Sequence, residues 1–170
     1  MGGKKYDGKR VTREEAEVLY REVMIAIGQL DANDSCPIPT DARLAGSYRR
    51  GKADSGDMDI VLIPVDLEAF DSWCLEHFGS HKNGNVARTG LFKGVQVEFY
   101  VATDENWGSQ LLMWTGSAHH NIKLRRRAKT MGYSLSQYGF RDLSGVMHPM
   151  PNESALFAFL HLDFIAPEDR

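Results

Sequence analysis

Cysteine is scarce in this sequence, and its scarcity excludes one class of protein. Cys36 and Cys74 are the only two cysteines among the 170 residues. Two isolated cysteines cannot form the disulfide framework that stabilises small secreted domains, so we expect both to be reduced thiols. Cys74 is followed by His77 and His81, which suggests a zinc trio, but the trio has no fourth ligand nearby and an ordinary helix surface is the preferred interpretation.

Long hydrophobic runs are missing as well. No apolar stretch approaches the roughly 20 residues that cross a bilayer, and the N-terminal residues 1–6 lack the apolar core of a signal peptide. We therefore expect a soluble intracellular protein, in the cytoplasm or in a virus-infected host cell, that does not bind membranes. With 42% hydrophobic and 10% aromatic residues, the chain can still build the core of one medium domain or two small lobes.

The sequence also lacks the positive net charge that is typical of nucleic-acid-binding proteins. The formal charge of −3 argues weakly against a nucleic-acid partner. The charge is unevenly distributed, however, because residues 121–141 contain six basic residues and no acidic one. Taken alone, such a run is more typical of a solvated helix face than of a binding surface. The six residues are Lys123, Arg125, Arg126, Arg127, Lys129 and Arg141.

The first half of the sequence predicts helices and strands in alternation. Thr12 and Glu15 have the spacing of a capping box, at the start of an amphipathic helix that continues to about Leu30. A loop over 31–40 then leads to a short strand over 42–45 and a β-branched strand over 58–64. Asp66 is placed to cap a further helix, which Gly79 ends.

The second half predicts two paired strands followed by helices. The strands extend over 85–92 and 94–101, and alternation in the second places Glu98 on its polar face. Helices are predicted through Trp114, from Ser117 to about Met131, and from Asn152 to Leu160, with His119 and His120 exposed. The predicted fold class is α+β, with a mixed sheet and helices over 1–104 and a small, mainly helical lobe over 105–170.

The segment 46–53, Gly-Ser-Tyr-Arg-Arg-Gly-Lys-Ala, nearly matches the phosphate-binding P-loop. That motif requires Ser or Thr where Ala53 stands, in order to place a hydroxyl on Mg²⁺, and it continues into a helix. Here the chain continues into an acidic strand instead. We therefore disfavour the P-loop interpretation.

Asp57 and Asp59 favour a different chemistry. Residues two apart in a strand project from the same face, so the two carboxylates converge, and hard divalent cations prefer such oxygen ligands. Glu98 supplies a third carboxylate if its strand lies beside the Asp strand. An isolated Asp-x-Asp pair is weak evidence, but the preceding Gly46-Ser47 turn, with Arg49 and Arg50, is suited to gripping a triphosphate.

Three motifs in order resemble the signature of the family X DNA polymerases. They are Gly46-Ser47-Tyr48-Arg49-Arg50-Gly51, Gly56-Asp57-Met58-Asp59 and Trp114-Thr115-Gly116-Ser117. The resemblance extends from 9–15, which is similar to the start of the family palm, to 166–170, which is similar to the family C-terminus. It also implies a minimal form, without the N-terminal lyase and helix-hairpin-helix region of larger members.

The resemblance implies a role for each candidate residue. Asp57, Asp59 and Glu98 would be the catalytic, metal-binding carboxylates for two Mg²⁺ ions, with Mn²⁺ as an alternative. The family usually has Asp at the third position, and Gln96 stands where DNA polymerase beta has Arg. The implied triphosphate contacts are Ser47, Arg50, Gly56 and Arg10; the implied sugar and base contacts are Met113, Trp114, Gly116 and Asn121; the implied template contacts are Arg125, Arg126 and Arg127.

The function that the resemblance implies is DNA-directed DNA polymerisation in short-gap DNA repair. The expected partners are gapped or primer-template DNA and a deoxynucleoside triphosphate, with a DNA ligase as a further candidate and a monomeric state. Two alternatives stay open: a template-independent nucleotidyltransferase, and a non-catalytic module that binds DNA ends. Asn121 and Arg125, four residues apart on one helix face, favour a templated enzyme over the first.

Overall fold

The computed structural model describes residues 9–28, 42–78 and 87–170, and these form an α+β protein. Leu30, the loop 31–40, Cys36, Gly79, His81 and the start of the strand predicted from Asn85 lie outside the described residues. The elements in chain order are β1 (Val11–Thr12), α1 (Arg13–Ala26), β2 (Ala42–Leu44), α2 (Gly46–Arg49), β3 (Asp54–Ser55), β4 (Asp57–Leu62), α3 (Leu67–Phe78), β5 (Ala87–Phe92), β6 (Val95–Val101), α4 (Trp107–Thr115), α5 (Ala118–Thr130), β7 (Tyr133–Ser136), β8 (Gly139–Asp142), β9 (Met147–His148), α6 (Glu153–Phe159) and a final 3₁₀ turn (Pro167–Asp169).

The chain divides into two compact units. One comprises the residues up to Leu44 together with Lys52–Val101, and the other comprises Ala45–Gly51 together with Ala102–Arg170. We call them the sheet unit and the helical unit. Among the residues that the structure describes, no helix combines the length and apolar character needed to span a membrane.

A four-stranded mixed sheet organises the sheet unit, with the strand order β2-β4-β6-β5. Strands β4 and β6 are parallel, whereas β2 pairs with β4, and β5 with β6, in the antiparallel direction. The parallel register sets Asp57 beside Gln96 and Asp59 beside Glu98. Because side chains alternate along a strand, this register gives the sheet one apolar face and one face with carboxylates.

Aromatic side chains of α3 cover the apolar face of the sheet. Met58, Ile60 and Phe99 are fully buried there, and the Phe70 ring meets the Phe99 ring edge-on with centroids 5.3 Å apart. Such edge-to-face pairs contribute about 0.5–1.5 kcal/mol beyond their burial. The helix begins as predicted, because Asp66 Oδ1 accepts a hydrogen bond from the Ala69 backbone N–H at 2.9 Å.

The predicted capping box at the start of α1 is confirmed. The Glu15 backbone N–H donates to Thr12 Oγ1, and the Thr12 backbone N–H donates to the Glu15 carboxylate at 2.9 Å. The hydrogen bond from the Thr12 backbone, followed by one from Lys9, lowers the pKa of Glu15. The pair satisfies two of the N–H groups that a helix start leaves without intrahelical partners.

Helices α4, α5 and α6 form the core of the helical unit, as predicted. The structure adds a three-stranded antiparallel sheet, β7-β8-β9, which the sequence analysis did not predict. These strands have four, four and two residues, too few to show a clear period-two pattern. Packing of aromatic rings stabilises them instead: Tyr133 and Phe140 stack with centroids 4.9 Å apart, and Phe159 meets both edge-on.

His120 is buried, so the expectation that both adjacent histidines are exposed is wrong for this one. His119 is exposed, but His120 lies on the same face of α5 as the buried Leu124 and Ala128 and is 6% exposed. Its ring centroid is 5.8 Å from that of Phe157. Burial, and then the nearby Arg170 guanidinium, lower the pKa of His120, outweighing the opposite effect of Glu153.

The lowered pKa predicts a loss of stability in mild acid. The folded protein keeps His120 neutral, whereas the unfolded chain takes up a proton near pH 6.5, so the unfolding free energy falls as the pH drops from that value through the folded pKa. We expect urea unfolding to show a loss of up to about 1 kcal/mol between pH 7.5 and pH 5.5. His120→Phe should remove most of this loss and the exposed-site control His119→Ala should keep it; equal pH dependence in both variants would contradict the assignment.

Candidate active site

The acidic face of the sheet unit brings the three predicted carboxylates into neighbouring positions. Asp57 and Asp59 alternate with buried residues of β4 and are themselves half-buried. Glu98 on β6 is the register partner of Asp59 and is also half-buried. The sequence prediction required these two strands to be neighbours, and they are. The three side chains share one face of the sheet.

The Glu98 carboxylate is hydrogen-bonded through both of its oxygens. Gln96 Nε2 donates to Glu98 Oε1 at 2.6 Å, and the Tyr100 hydroxyl donates to Glu98 Oε2 at 2.6 Å. The Tyr100 oxygen also lies 3.1 Å from Asp59 Oδ1. Burial of Tyr100, and then the nearby Asp59 and Glu98 carboxylates, raise the pKa of its hydroxyl, which is therefore protonated. Sequence reasoning missed Tyr100, because an aromatic residue in a strand is ordinarily a core residue.

The chemistry of the donor set fits a hard divalent cation. Carboxylate oxygens are the ligands that Mg²⁺ and Mn²⁺ prefer, and Asp57 and Asp59 present two of them on one face. Within the described part of the chain, however, no three His, Cys, Asp or Glu side chains are already arranged as a metal site. At this position both oxygens of the Glu98 carboxylate accept hydrogen bonds, from Gln96 and from Tyr100.

The zinc alternative at Cys74 receives no support from the structure. Cys74 is 2% exposed on α3, and burial raises the pKa of its thiol to about 12. His77 is exposed, and its ring stacks on Trp73 with centroids 4.3 Å apart.

Arg10 and Gly56 come together at the edge of the sheet unit. The pairing of β1 with β3 sets Thr12 beside Asp54, and the Arg10 guanidinium forms an ion pair with the Asp54 carboxylate. The hydrogen bond from Arg10 to Asp54 and the negative charge of Asp54, with a smaller effect of Asp57, raise the pKa of Arg10. A side chain added at Gly56 would place its Cβ 3.3 Å from Arg10 Nη1, so the guanidinium lies beside the Gly56 backbone.

Ser47 and Arg50 lie in or next to the one-turn helix α2 of the helical unit. The chain leaves α2 through a turn and enters the short strand β3 rather than a helix, which excludes the P-loop arrangement. The Arg50 guanidinium donates to the Thr115 carbonyl at the end of α4. The next residue, Gly116, has a φ of 73°, and an added Cβ there would lie 3.1 Å from Arg50 Nη1. Glycine is required by both its backbone angle and this close approach.

Arg49 forms an ion-pair network that the sequence analysis did not predict. Its guanidinium contacts the Glu153 carboxylate through two hydrogen bonds of 2.9 and 2.6 Å, and it donates to Thr115 Oγ1 at 2.7 Å. Arg170 donates to the same carboxylate at 2.6 Å. Glu153 is 4% exposed and the Arg170 side chain is fully buried. The partners lie 104 and 17 residues from Glu153, so no local pattern could have indicated the network.

The network decides the charge state of Glu153. Burial alone would raise the pKa of the carboxyl, but hydrogen bonds and charge from Arg49 and Arg170 outweigh that effect and lower it. Glu153 is therefore an ionised carboxylate near neutral pH. It holds Arg49, and with it the end of α2, against α4 and α6. Arg49 thus has a structural role within the helical unit.

The predicted sugar and base contacts lie around the end of α4. Met113 and Trp114 are half-buried there, and Trp114 Nε1 donates to Gln110 Oε1 at 2.6 Å. Asn121 Nδ2 on α5 donates to the Met113 carbonyl at 2.8 Å. Met113, Trp114, Gly116 and Asn121 are thus neighbours within the helical unit.

Two of the three predicted template arginines line a basic groove. Arg125 and Arg126 are exposed on α5, and the groove has a volume of about 460 Å³. Arg127 is different, because its Nε donates to the Leu160 carbonyl at 2.9 Å and its side chain is half-buried. The residues that line the groove are Ile122, Arg125, Arg126, Lys129, Tyr133, Ser134, Leu135 and Leu143.

Comparison with known proteins identifies relatives of this chain. The DNA polymerase beta palm profile matches residues 10–105, and the DNA polymerase beta thumb profile matches residues 110–170. DNA polymerase lambda of Rattus norvegicus is 26% identical over 208 residues, which cover 100% of this chain and 35% of the relative. The DNA polymerase/3′-5′ exonuclease PolX of Bacillus subtilis (strain 168) is 37% identical over 133 residues, 74% of this chain and 23% of the relative. DNA polymerase lambda of Arabidopsis thaliana is 26% identical over 162 residues, 74% of this chain and 31% of the relative.

The palm match alone extends over more than half of the chain. The chain therefore belongs to the family X DNA polymerases, the family of DNA polymerase beta, as its motifs predicted. It spans between about a quarter and about a third of the length of these relatives.

The Arg49–Glu153–Arg170 network generates a stability prediction. Glu153→Gln keeps the shape of the side chain but leaves two guanidinium groups facing a neutral amide, and breaking a buried ion pair on one side costs about 3–5 kcal/mol. We expect chemical denaturation at pH 7 to show a loss of this size. Glu22→Gln is the control, because the Glu22–Lys93 pair is exposed and should contribute less than about 1 kcal/mol. Similar losses in both variants would contradict a special role for the network.

Proposed function

We propose that this protein is a DNA-directed DNA polymerase that adds deoxynucleotides to a primer 3′-hydroxyl, in short-gap filling during DNA repair. The observation that carries the proposal is the acidic face of the sheet unit, in a chain of family X. There Asp57 and Asp59 alternate along β4, and Glu98 is the register partner of Asp59. The relatives named above are DNA polymerases.

Asp57, Asp59 and Glu98 are the residues that would hold two Mg²⁺ ions, or Mn²⁺ in their place. Bound divalent cations supply Lewis-acid stabilisation of phosphoryl oxygens and lower the pKa of an attacking hydroxyl. The reaction joins the primer 3′-oxygen to the α-phosphorus of the triphosphate and releases pyrophosphate. The half-buried position of the carboxylates supports this role, because partial exclusion of water strengthens their interaction with charge.

Arg10, the Gly56 backbone N–H, Ser47 and Arg50 are the proposed triphosphate contacts. Guanidinium groups suit phosphate oxygens because they present several N–H donors in one plane. Asp54 holds the Arg10 guanidinium beside Gly56, and the Thr115 carbonyl holds the Arg50 guanidinium. In the proposed reaction these groups bind and orient the triphosphate and balance its negative charge.

Met113, Trp114, Gly116 and Asn121 are proposed to contact the sugar and base of the incoming nucleotide. Trp114 offers a flat apolar platform, and the hydrogen bond that its indole N–H donates to Gln110 orients the ring. The Asn121 amide is held by the Met113 carbonyl, which fixes the direction of the side chain. The arrangement supports selection of a nucleotide by shape and by contacts with base edges.

The basic groove of the helical unit is the proposed template surface. Arg125, Arg126 and Lys129 supply positive charge, Ser134 supplies a hydroxyl, and the half-buried Tyr133 and exposed Leu143 side chains supply apolar contact for sugars and bases. Phosphate contacts of this kind position a nucleic acid without reading its sequence. Arg127 was predicted for the same surface. Because its guanidinium also donates to the Leu160 carbonyl, we expect it to contribute less to DNA binding than Arg125 and Arg126.

Primer extension tests the proposal against both alternatives. A labelled primer is incubated with Mg²⁺ or Mn²⁺, with and without a template strand, and on a one-nucleotide gap. Templated extension supports the polymerase, equal extension without a template supports a template-independent nucleotidyltransferase, and DNA binding without extension supports a non-catalytic module. The proposed monomeric state is measured on the same sample by light scattering, and partnership with a DNA ligase by sealing of the filled gap.

The carboxylates generate a direct prediction. Asp57→Ala and Asp59→Ala should abolish nucleotide addition without unfolding the protein, because each removes a ligand whose electrostatic contribution amounts to several kcal/mol of barrier, about a thousandfold or more in rate. Glu98→Gln should be nearly inactive, and Glu98→Asp should keep or exceed the parental rate. Rates are measured by single-turnover extension, with circular dichroism as the folding control. A folded Asp57→Ala protein that extends primers would overturn the site.

The groove generates a prediction on salt dependence. Each neutralised phosphate contributes about 0.9 to the slope of log affinity against log salt, so the double variant Arg126→Gln/Lys129→Gln should bind DNA more weakly and with a shallower slope. Arg125→Ala should lower templated rate or accuracy more than DNA affinity, since it is assigned to a base edge. Lys52→Gln, a cation outside the groove, is the control. Identical slopes for all of these proteins in a fluorescence-anisotropy titration would show that the groove does not meet DNA.

A further inference from the structure

Tyr100 lies where the carboxylates of the proposed metal site meet. We propose that the Tyr100 hydroxyl is a latch on Glu98: its hydrogen bond holds the Glu98 carboxylate, and a divalent cation must break that hydrogen bond before Glu98 can become its ligand. The inference deepens the proposed function and rests on it. It assigns Tyr100 as a positioning residue that sets how tightly the third carboxylate binds a cation.

The positions of Glu98, Tyr100 and Asp59 on neighbouring strands explain why their side chains meet. Glu98 and Tyr100 are two apart on β6 and project from the same face, beside Asp59 on the parallel neighbour β4. One phenolic oxygen therefore lies 2.6 Å from Glu98 Oε2 and 3.1 Å from Asp59 Oδ1. A cation shared by these two carboxylates would have to lie within bonding distance of both, which is the region that the hydroxyl occupies.

A hydroxyl has only one proton to donate. The shorter distance makes Glu98 the main acceptor of that proton and Asp59 the weaker one. The bridge is therefore unequal: it stabilises the Glu98 carboxylate and does little for Asp59. A positive charge next to Asp59 would be more favourable there, which gives a cation a reason to displace the contact.

Glu98 is the most exposed of the three side chains in the latch. Tyr100 is 4% exposed and Gln96 is 9% exposed, so both donors are fixed by packing, whereas the Glu98 side chain is only half-buried. Gln96 holds the other Glu98 oxygen at 2.6 Å. Hydrogen bonds to an ionised group are about twice as strong as neutral ones. Cation binding at Glu98 therefore has to compete with two such hydrogen bonds.

Mn²⁺ binding to the protein alone, without DNA or nucleotide, tests the latch. Electron paramagnetic resonance of free Mn²⁺ gives both the affinity and the number of bound ions. Tyr100→Phe keeps the ring and removes the hydroxyl, and losing one hydrogen bond to a charged group should tighten Mn²⁺ binding about tenfold. Tyr20→Phe is the matched control: it removes another buried hydroxyl of the sheet unit and should leave the affinity unchanged.

Glu98→Gln completes the test as a double-mutant cycle. If the gain in Tyr100→Phe comes from a released Glu98, adding Tyr100→Phe to Glu98→Gln should give no gain, so the double variant should bind Mn²⁺ as Glu98→Gln alone does. Thermal unfolding checks that the variants fold. If Tyr100→Phe does not fold, Gln96→Leu removes the other donor and should tighten Mn²⁺ binding in the same direction.

The outcomes separate the latch from the function on which it rests. The latch is supported if Asp59→Asn weakens Mn²⁺ binding and Tyr100→Phe tightens it. If Asp59→Asn weakens Mn²⁺ binding but Tyr100→Phe leaves it unchanged or weakens it, the latch is wrong and the metal site still stands. Mn²⁺ binding that is indifferent to Asp57→Asn and Asp59→Asn would overturn the metal site of the proposed function itself.

Discussion

The parallel pairing of β4 with β6 is the constraint on which the candidate site depends. Its register sets Asp59 beside Glu98 and at the same time sends Met58, Ile60 and Phe99 into the core. A slip of one residue would exchange the two faces, burying carboxylates under α3 and exposing the apolar side chains. Burial of the apolar side chains therefore fixes the register of β4 and β6, and with it the positions of the carboxylates.

The sequence predicted the features that depend on neighbouring residues. The capping box of Thr12 and Glu15 and the cap at Asp66 are local patterns, and each is present. Along β6 the burial does not alternate as the sequence does, because Gln96 and Tyr100 on the face of Glu98 are buried as well. The ion pair between Arg49 and Glu153 joins residues 104 apart, and no short window contains both of them. The β7-β8-β9 sheet is local but its strands are too short to show a period of two, and the burial of His120 follows from a helix face shared with Leu124 and Ala128, a local pattern that was overlooked. Tyr100 is an intermediate case: its place on the face of Glu98 could be predicted, but its contact with Asp59 required the strand register.

The distribution of charge over the helical unit differs from what the net charge indicates. The chain carries a formal charge of −3, yet several of its cations are used internally. Arg49 and Arg170 neutralise the buried Glu153 carboxylate, and Arg127 donates a hydrogen bond to the Leu160 carbonyl. Three of the cations exposed on α5, Arg125, Arg126 and Lys129, line one groove. What matters to a polyanionic partner is the local field of such a groove, and the total charge of the protein does not describe it.

The helical unit is discontinuous in sequence, since Ala45–Gly51 joins it from between two segments of the sheet unit. Arg49 reaches Glu153 across 104 residues, so during synthesis α2 must wait for most of the chain before its partner exists. Contacts with such large sequence separation slow folding, because loop closure has to precede them. It also follows that neither unit can be excised as one continuous fragment: a cut after residue 101 would leave α2 attached to the sheet unit and separate it from the carboxylate that anchors it.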